Sequence, residues 1–534
     1  MLSPDPMEEF NGEIEWFIER EVLAAIKSCK DRKACGPDGI FNEHIKQLAP
    51  KLGKTITSLF NKCLQQGRIP ENWRRATVKM LYKGKGDTGN PNNYRSIALE
   101  CTLFKILTGL ITNRLSEKAE DFLPEEQFGF RKGRSTLQAL HCLQNDIETT
   151  LSRPEEKLHA IFIDLNLAFD TINRKILIEK LETMIGTQNY LCRIIKNILS
   201  DNCIEVNDDI TRSKPIKQNI GVLQGDPLSP LLFILATADA TKSVTSEDVK
   251  SYIYADDMVI VSSSQEKLQN AYNNLVDWVE RNKLTVNENK TVSMSFRRGG
   301  KQALFYHKSR PLTTVTHFKY LGVVFQTPGN VFTLHVKERA VAAVKAMNDI
   351  KKLSKLSFST AIKLFHAMIS PIATYGLENI WIHLTKRQVA ELEKVKATYL
   401  KKAMCLFKYT PNRMVYILAR EQFYIEELRF TMLLPNTKGY EELLQEMRQK
   451  RDEVWSDFYG TDAMASRDWM QCNYELRHVM TRFAVHGFHH QICVIARYHQ
   501  PGPGCECKRC GKVCERYHVM TCGQREESLT KFGS

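Results

Sequence analysis

The chain has 534 residues, with 75 Lys or Arg against 61 Asp or Glu, a net charge of +14. Hydrophobic residues at 43% and charged residues at 25% exclude disorder as the main state and leave length for about three or four domains. The basic surplus favours polyanionic partners, nucleic acid first among them.

The mean hydropathy is −0.34. The longest apolar run, Pro230–Ala236 with its flanks, falls far short of the ~20 residues a membrane span needs, so no membrane partner is expected. Nor does the N-terminus have the charged start and apolar middle of a secretory signal. Of fifteen cysteines, ten lie scattered between Cys29 and Cys493, which reads as reduced thiols of a cytosolic or nuclear protein. The other five crowd into Cys505–Cys522.

In chain order, Ile14, Phe17, Ile18, Val22, Leu23 and Ile26 recur at helical steps, Gly36-Pro37-Asp38-Gly39 breaks the pattern, and Glu43–Leu64 resumes it. Ala76–Leu81 reads as a strand, followed by a flexible basic loop, Lys83-Gly84-Lys85-Gly86. That loop lacks the spacing of an ATPase phosphate loop. Ala160–Leu165 is an apolar run interrupted by an acid, with a helix expected from about Thr171. Gly221–Ala238 is a turn running into an apolar helix. Tyr252–Ser262 reads as two β segments around Asp256-Asp257, Lys267–Asn282 as a helix, Leu284–Phe296 as extended, and His317–Phe325 as a strand around Gly322. After Val331 only helical spacing remains, to about residue 430. A polar stretch, Lys438–Arg451, leads to an aromatic- and His-rich tail. Strands and helices mixed through the middle predict an α+β or α/β core.

Three acids stand out. Asp164 ends the run Ala160–Ile163, and Asp256-Asp257 separates two apolar segments. A carboxylate at the end of a buried strand is costly without compensation. Adjacent strand residues point to opposite faces, so a tight turn is the natural place for both Asp256 and Asp257 to stay near one site. Together the three suit a hard divalent cation. Two Mg²⁺ ions about 3.5–4 Å apart can activate a 3′-hydroxyl and stabilise departing pyrophosphate. The competing structural reading makes Asp164 a helix cap and Asp256-Asp257 an ordinary turn. Asp170, nearer the expected helix start, is the better cap.

The segments Phe162–Asp170, Gly221-Val222-Leu223-Gln224-Gly225-Asp226-Pro227-Leu228-Ser229-Pro230 and Tyr254-Ala255-Asp256-Asp257 resemble, in order, the catalytic motifs of reverse transcriptases. Gly36–Gly39, Asn93-Tyr94-Arg95-Ser96-Ile97 and Gln127-Phe128-Gly129-Phe130-Arg131 resemble the fingers motifs of the non-LTR (LINE-type) retrotransposon enzymes. The resemblance covers roughly residues 20–380. It implies an α+β right-hand polymerase of fingers, palm and thumb, with a helical C-terminal region and a small zinc knuckle. The expected divisions are 1–95 (N-terminal extension and fingers), 96–328 (fingers and palm core), 329–434 (helical thumb), 435–500 (helical linker) and 501–534 (knuckle and tail).

By the same resemblance, Asp164, Asp256 and Asp257 are the magnesium ligands. Phe169 is the gate that clashes with a 2′-hydroxyl, against the plainer reading of a core Phe. Gln224 and Gly225 meet the incoming nucleotide, while Arg95 and Lys83 hold the triphosphate. A solvated surface charge is the alternative for each cation. Lys290 resembles the lysine that protonates departing pyrophosphate, with an exposed strand lysine as the alternative. Tyr320-Leu321-Gly322 resembles the primer-grip turn. Leu167 departs from the family, which commonly has Lys at that position.

Cys507-x2-Cys510-x7-His518-x3-Cys522 has the spacing of a four-ligand structural Zn²⁺ site, with Cys505 and Cys514 as alternates and basic neighbours suited to nucleic acid. It resembles the knuckle that follows the thumb in non-LTR elements. Twelve residues follow Cys522, too few for the endonuclease found there in site-specific members, so target cleavage is expected to be absent. The implied function is RNA-directed DNA polymerisation in target-primed reverse transcription. Its partners are an RNA template, a DNA primer or target and dNTPs, in the nucleus after a cytoplasmic ribonucleoprotein stage. A decayed copy that only binds RNA, and a group II intron maturase sharing the palm motifs, are the competing readings.

Overall fold

The structure is a computed structural model describing residues 12–84, 86–208, 211–297, 302–406, 408–410, 412–419, 421–432, 442 and 444–449. Two compact units divide it. The first holds residues up to Leu321 with Thr327–Gly329, and the second holds Gly322–Gln326 with the residues from Asn330.

The first unit begins with α1 (Glu19–Ser28) and α2 (Asn42–Gln66). The helical spacing seen from Ile14 does not become a helix until Glu19. Instead, Arg114 fastens the segment before it: Nη1 donates to the carbonyl of Glu15, Nη2 to those of Trp16 and to the Glu21 carboxylate, and the guanidinium lies 4.2 Å over the Phe17 ring. Backbone carbonyls satisfied by a buried guanidinium have no need of helical partners. Between the helices, Gly36–Gly39 is the expected turn, closed by Gly39 N–H donating to Gly36 O.

Strands β1 (Arg75–Tyr82) and β2 (Tyr94–Leu99) pair antiparallel, with Leu81 opposite Arg95. Helices α3 (Thr102–Ala119) and α4 (Thr136–Leu151) follow. The second starts from a capping box in which Ser135 and Gln138 exchange side-chain bonds with each other's backbone. Strand β3 (Leu158–Ile163) has all six residues buried. After it come α5 (Ala168–Thr171), α6 (Arg174–Ile185), α7 (Tyr190–Ile198), β4 (Asn202–Asn207) and β5 (Ile216–Gln218). The helix expected from Thr171 begins at Arg174. Its cap is Asn173, whose side chain accepts from two backbone N–H groups, so neither Asp164 nor Asp170 caps it.

The apolar α8 (Ser229–Ala236) and short α9 (Ala240–Val244) lead to β6 (Lys250–Tyr254) and β7 (Asp257–Ser262). Helix α10 (Gln265–Arg281) is capped by Ser264 and buries Leu268, Tyr272, Leu275, Val276 and Val279 on one face. Of the stretch expected to be extended to Phe296, only β8 (Val292–Phe296) is strand. Asn287–Thr291 is a turn whose N–H groups at Lys290 and Thr291 donate to Asn287 O. Strands β9 (Tyr306–His307) and β10 (Arg310–Pro311) form a hairpin, and β11 (Thr313–Thr314) and β12 (His317–Tyr320) complete the unit.

Two sheets result. One runs β2-β1-β4-β5; the other runs β11-β8-β3-β7-β6, with β3 in the middle. Helices α3, α6, α7, α8 and α10 contribute to one apolar core with the inward side chains of the second sheet. The central strand, apolar on both faces, therefore has a fixed register.

Among its described residues the second unit contains β13 (Val323–Gln326) and then helices only: α11 (Thr333–Asp349), α12 (Phe358–Leu364), α13 (Ser370–Thr374), α14 (Leu377–Ile380), α15 (Lys386–Ala403), α16 (Asn412–Ala419) and α17 (Tyr424–Thr431). His335 is wholly buried; Nδ1 accepts from Val324 N–H while Nε2 reaches Tyr375 O, an arrangement that needs a single neutral tautomer. The buried Glu393 accepts from the N–H groups of Tyr424 and Ile425. The nearly inaccessible Lys396 bridges Glu421 and Glu427, each at 2.8 Å. No helix among the described residues is long and apolar enough to cross a membrane, and the described cysteines are free thiols.

One buried junction joins the two halves of the first unit. Glu100, just after β2, and Asp226, in the turn before α8, are both buried against each other. Burial, then the neighbouring Asp226 charge, pushes the Glu100 carboxyl well above its ordinary 4.5, so Glu100 is the neutral donor. Asp226 accepts from it, from Thr108 and from Leu228 N–H at 2.7 Å. A carboxyl kept protonated by folding stabilises fully below its ordinary value and less as pH rises toward its folded value. Stability should therefore fall, in part through this group, as pH rises from about 4.5 toward the raised folded value. Glu100→Gln retains the donor without the proton and should flatten that fall. Glu100→Leu strands Asp226 and should cost about 1–3 kcal/mol. Thermal unfolding across pH measures both.

Candidate active site

Two backbone features bring the acids together. In β3 and β7, Ile163 pairs with Met258. One more step of that register sets Asp164 beside Asp257. In β6 and β7, Tyr254 pairs with Asp257, leaving Ala255-Asp256 as a two-residue hairpin loop with Ala255 at φ 59°. Asp256 projects from the loop and Asp257 opens the strand.

Asp164 and Asp256 are half-buried and Asp257 lies at the accessible rim. Crowding by the surrounding protein, then the charges of Asp256 and Asp164, raises Asp257 to about 6; Lys290 opposes the shift. Asp256 is raised by the same crowding and by Asp164, against its own backbone N–H, Arg95 and Lys290. Asp164 Oδ2 is buried and makes no hydrogen bond, although Lys290 Nζ stands 3.4 Å away. Among the described residues no three acids, His or Cys yet close on a single point as a chelate. The donor set nonetheless fits a divalent cation: Asp164 raises the proton affinity of both Asp256 and Asp257, and one Asp164 oxygen is left without a hydrogen-bond donor.

Lys290 sits on the Asn287–Thr291 turn, held where Asn287 N–H donates to Asp164 O and Thr291 Oγ1 accepts from Asp164 N–H. Sequence spacing gave that lysine a strand; a turn docked on Asp164 carries it instead.

The expected nucleotide residues gather beside the acids. Phe169 stacks on Phe233, centroids 4.5 Å apart and rings 18° from parallel. Its carbonyl accepts from Val222 N–H, which ties α5 to the Gly221–Pro230 turn. Gln224 Nε2 donates to Asp170 Oδ2 at 3.2 Å, and Gln224 O accepts from Ala98 N–H at 2.8 Å. Gly225 has φ 130°, and a Cβ there would fall 2.6 Å from Ala98 O, so no other residue fits. Asp170 is thus a site residue rather than a cap. Burial raises its carboxyl, opposed by hydrogen bonds from Ser96 and Gln224 and by Lys83.

Arg95 is exposed on β2 and its charge is felt at Asp256. Lys83 Nζ donates to Asn92 O at 2.8 Å and its charge is felt at Asp170. The β1–β2 register puts both cations on one side of the hairpin.

Gln127 is a functional residue that motif wording alone gave no role. It is buried, and its Oε1 accepts from Gly129 N–H at 2.8 Å and from Ala255 N–H at 3.1 Å, inside the hairpin that carries Asp256. Phe128 N–H donates to Ile253 O, and Ile253 N–H to Glu126 O, so this segment runs along β6 as an extra edge. A Gln followed by Phe128, Gly129 and Phe130 is the signal that could have identified it, since a buried amide must find partners. Tyr320, in the expected primer-grip turn, is buried and donates to Tyr252 O at 3.1 Å. Cys507, Cys510, His518 and Cys522, with Cys505 and Cys514, lie outside the described residues.

Comparison with known proteins agrees with this geometry. Residues 83–325 match the family described as reverse transcriptase (RNA-dependent DNA polymerase). The chain is 28% identical over 381 residues to the probable RNA-directed DNA polymerase from transposon BS of Drosophila melanogaster, covering 68% of this chain and 42% of that protein. It is 27% identical to the RNA-directed DNA polymerase from mobile element jockey of the same species, covering 70% and 43%. It is 26% identical to the Pol polyprotein of the type-1 retrotransposable element R2 of Popillia japonica, covering 76% and 57%. The chain thus spans under half the length of the first two. A solved telomerase from Candida tropicalis aligns at TM-score 0.38 and 11% identity over 77% of this chain and 68% of its own, too loosely to carry an argument. Residues 83–325 thus match the reverse transcriptase family, and the relatives named above are RNA-directed DNA polymerases or Pol polyproteins of mobile elements.

Proposed function

We propose that this chain is an RNA-directed DNA polymerase of a non-LTR retrotransposon, extending a primer 3′-hydroxyl on an RNA template with dNTPs in target-primed reverse transcription. The carrying observation is the β3–β7 register that sets Asp164 beside the Asp256-Asp257 hairpin. On this reading, residues 1–95 extend the fingers, 96–328 form the fingers and palm core, 329–434 the thumb, 435–500 a linker and 501–534 the knuckle and tail.

Asp164, Asp256 and Asp257 would hold two Mg²⁺ ions. Bound there, such ions supply Lewis-acid activation of the hydroxyl and offset charge on the leaving pyrophosphate. The rest is done by this chain's own side chains. Arg95 and Lys83 neutralise and orient the triphosphate from one side of the hairpin. Gln224 and the bare backbone of Gly225 meet the sugar and base. Phe169, backed by Phe233, stands where a 2′-hydroxyl would clash. Lys290, 3.4 Å from Asp164, carries a proton that can pass to pyrophosphate as it leaves. A DNA target places this work in the nucleus, after a cytoplasmic ribonucleoprotein stage.

Primer extension on an RNA template with dNTPs and Mg²⁺ tests the reading. Asp256→Ala and Asp257→Ala should each lower extension by at least about a hundredfold while leaving the fold unchanged by circular dichroism. Lys290→Ala should lower kcat by about a hundredfold or more with a smaller change in KM. Wild-type protein that binds RNA yet extends no primer would leave the binding-only alternative standing.

We also propose that Cys507, Cys510, His518 and Cys522 bind one structural Zn²⁺ that helps grip nucleic acid, a reading supported by their spacing and basic neighbours. Purified protein should carry about one zinc per chain by elemental analysis, lost in Cys510→Ser. Undiminished zinc in that variant would reject this ligand set.

A further inference from the structure

Phe130 combines features that burial does not explain. It is 48% exposed and adopts φ 57°, a left-handed backbone that costs a non-glycine residue roughly 1–2 kcal/mol. A half-exposed ring gains much less from desolvation than a buried one, and strain of this kind collects at functional sites.

The surroundings fix where the ring stands. Its centroid is 6.4 Å from Phe169, with the rings 84° apart, the edge-to-face arrangement that aromatic pairs favour. It is also 6.5 Å from Tyr254, the residue that begins the catalytic hairpin. Phe169 therefore has the buried Phe233 stacked on it and Phe130 set perpendicular to it. The Phe130 backbone is equally constrained. On one side Gln127 Oε1 ties Gly129 to the hairpin, and Gly129 lies so close that a Cβ would meet Ala255 N at 2.5 Å. On the other, Arg131 donates to the carbonyls of Pro124 and Gln127 and pairs with Glu120. A ring held at both ends of its segment cannot drift from its neighbour.

We propose that Phe130 is a specificity-determining residue: its ring holds Phe169 at the height at which that gate rejects a 2′-hydroxyl, so that sugar selection belongs to the pair and not to Phe169 alone. This rests on the polymerase reading above. Without Phe130, Phe169 keeps its stack on Phe233 but loses the perpendicular neighbour that limits its tilt. A ribose can then push the gate aside, while a deoxyribose, which makes no clash, gains nothing.

The test is single-nucleotide primer extension with matched dNTP and rNTP, compared as the ratio of their kcat/KM values. Phe130→Ala should raise the ribonucleotide-to-deoxyribonucleotide ratio by roughly tenfold, the scale of a lost edge-to-face ring pair, mostly through a lower KM for the ribonucleotide. Phe130→Tyr keeps the ring and should keep the wild-type ratio. Phe169→Ala gives the ceiling, and adding Phe130→Ala to it should change the ratio no further. A Phe130→Ala protein that loses both activities equally, or that leaves the ratio at its wild-type value, would overturn the proposal while the polymerase reading stands. A wild-type protein that extends with neither nucleotide would overturn both.

Discussion

Three carboxylates held within each other's fields are the constraint around which the first unit is organised. Like charges at strand ends repel, and crowding by protein makes the repulsion stronger than it would be in water. The cost appears as raised proton affinity at Asp256 and Asp257 and as an Asp164 oxygen without a donor. Such an arrangement survives only where the backbone leaves the acids no alternative. The central strand β3 supplies that compulsion: every residue is buried and the strand is paired on both sides, to β7 and to β8, so Asp164 at its end is led to one place. The hairpin does the same for the other two acids, since a two-residue loop has few conformations and this one is tied by Gln127.

Around that centre, the positive groups are exposed while two of the three acids are half-buried. Arg95 and Lys83 come from one side of the β1–β2 hairpin, and Lys290 from a turn. None of the three is buried. A cation that must meet a triphosphate and then let pyrophosphate go gains from a solvated resting state, whereas a metal ligand gains from immobility. The Glu100–Asp226 junction shows a second use of buried acids. There one proton, not a metal, reconciles two carboxyls, and the result is structural: it pins the Gly221–Pro230 turn to the end of β2. The fold thus distinguishes acids that share a proton from acids left to share a cation by what else reaches them. Thr108 and the Leu228 N–H serve Asp226, while Asp164 Oδ2 has no such donor.

Much of this was legible in the residues, because period and composition report burial. The runs Ala160–Ile163 and Met258–Val261 could only be central strands, and acids at their ends could only be expensive or useful. Element boundaries were less legible where a tertiary partner replaced a local one. The helical stripe from Ile14 stays unwound to Ile18 because Arg114, about a hundred residues away, supplies its carbonyls with donors. Asp170 reads as a helix cap because capping is what an isolated Asp near a helix most often does. Asn173, three residues on, takes that role and frees Asp170 for Gln224. The turn at Asn287–Thr291 could have been read: Asn287-Glu288-Asn289-Lys290 is turn-forming and poor in strand formers, and docking on the backbone of Asp164 completes it.

The residues hardest to read in advance are those that act through another side chain, and they converge on one segment. Gln127 fixes the acids and Phe130 flanks the gate, three residues apart on a stretch that runs beside β6. Because the same short segment touches both the Asp256-Asp257 hairpin and the Phe169 ring, the two cannot shift independently. A shift of the segment that relaxed the gate would also move Ala255, and with it Asp256. On the polymerase reading, a substrate that displaced the Phe169 ring would also strain the segment that steadies the carboxylates, which ties the choice of sugar to the support of the site.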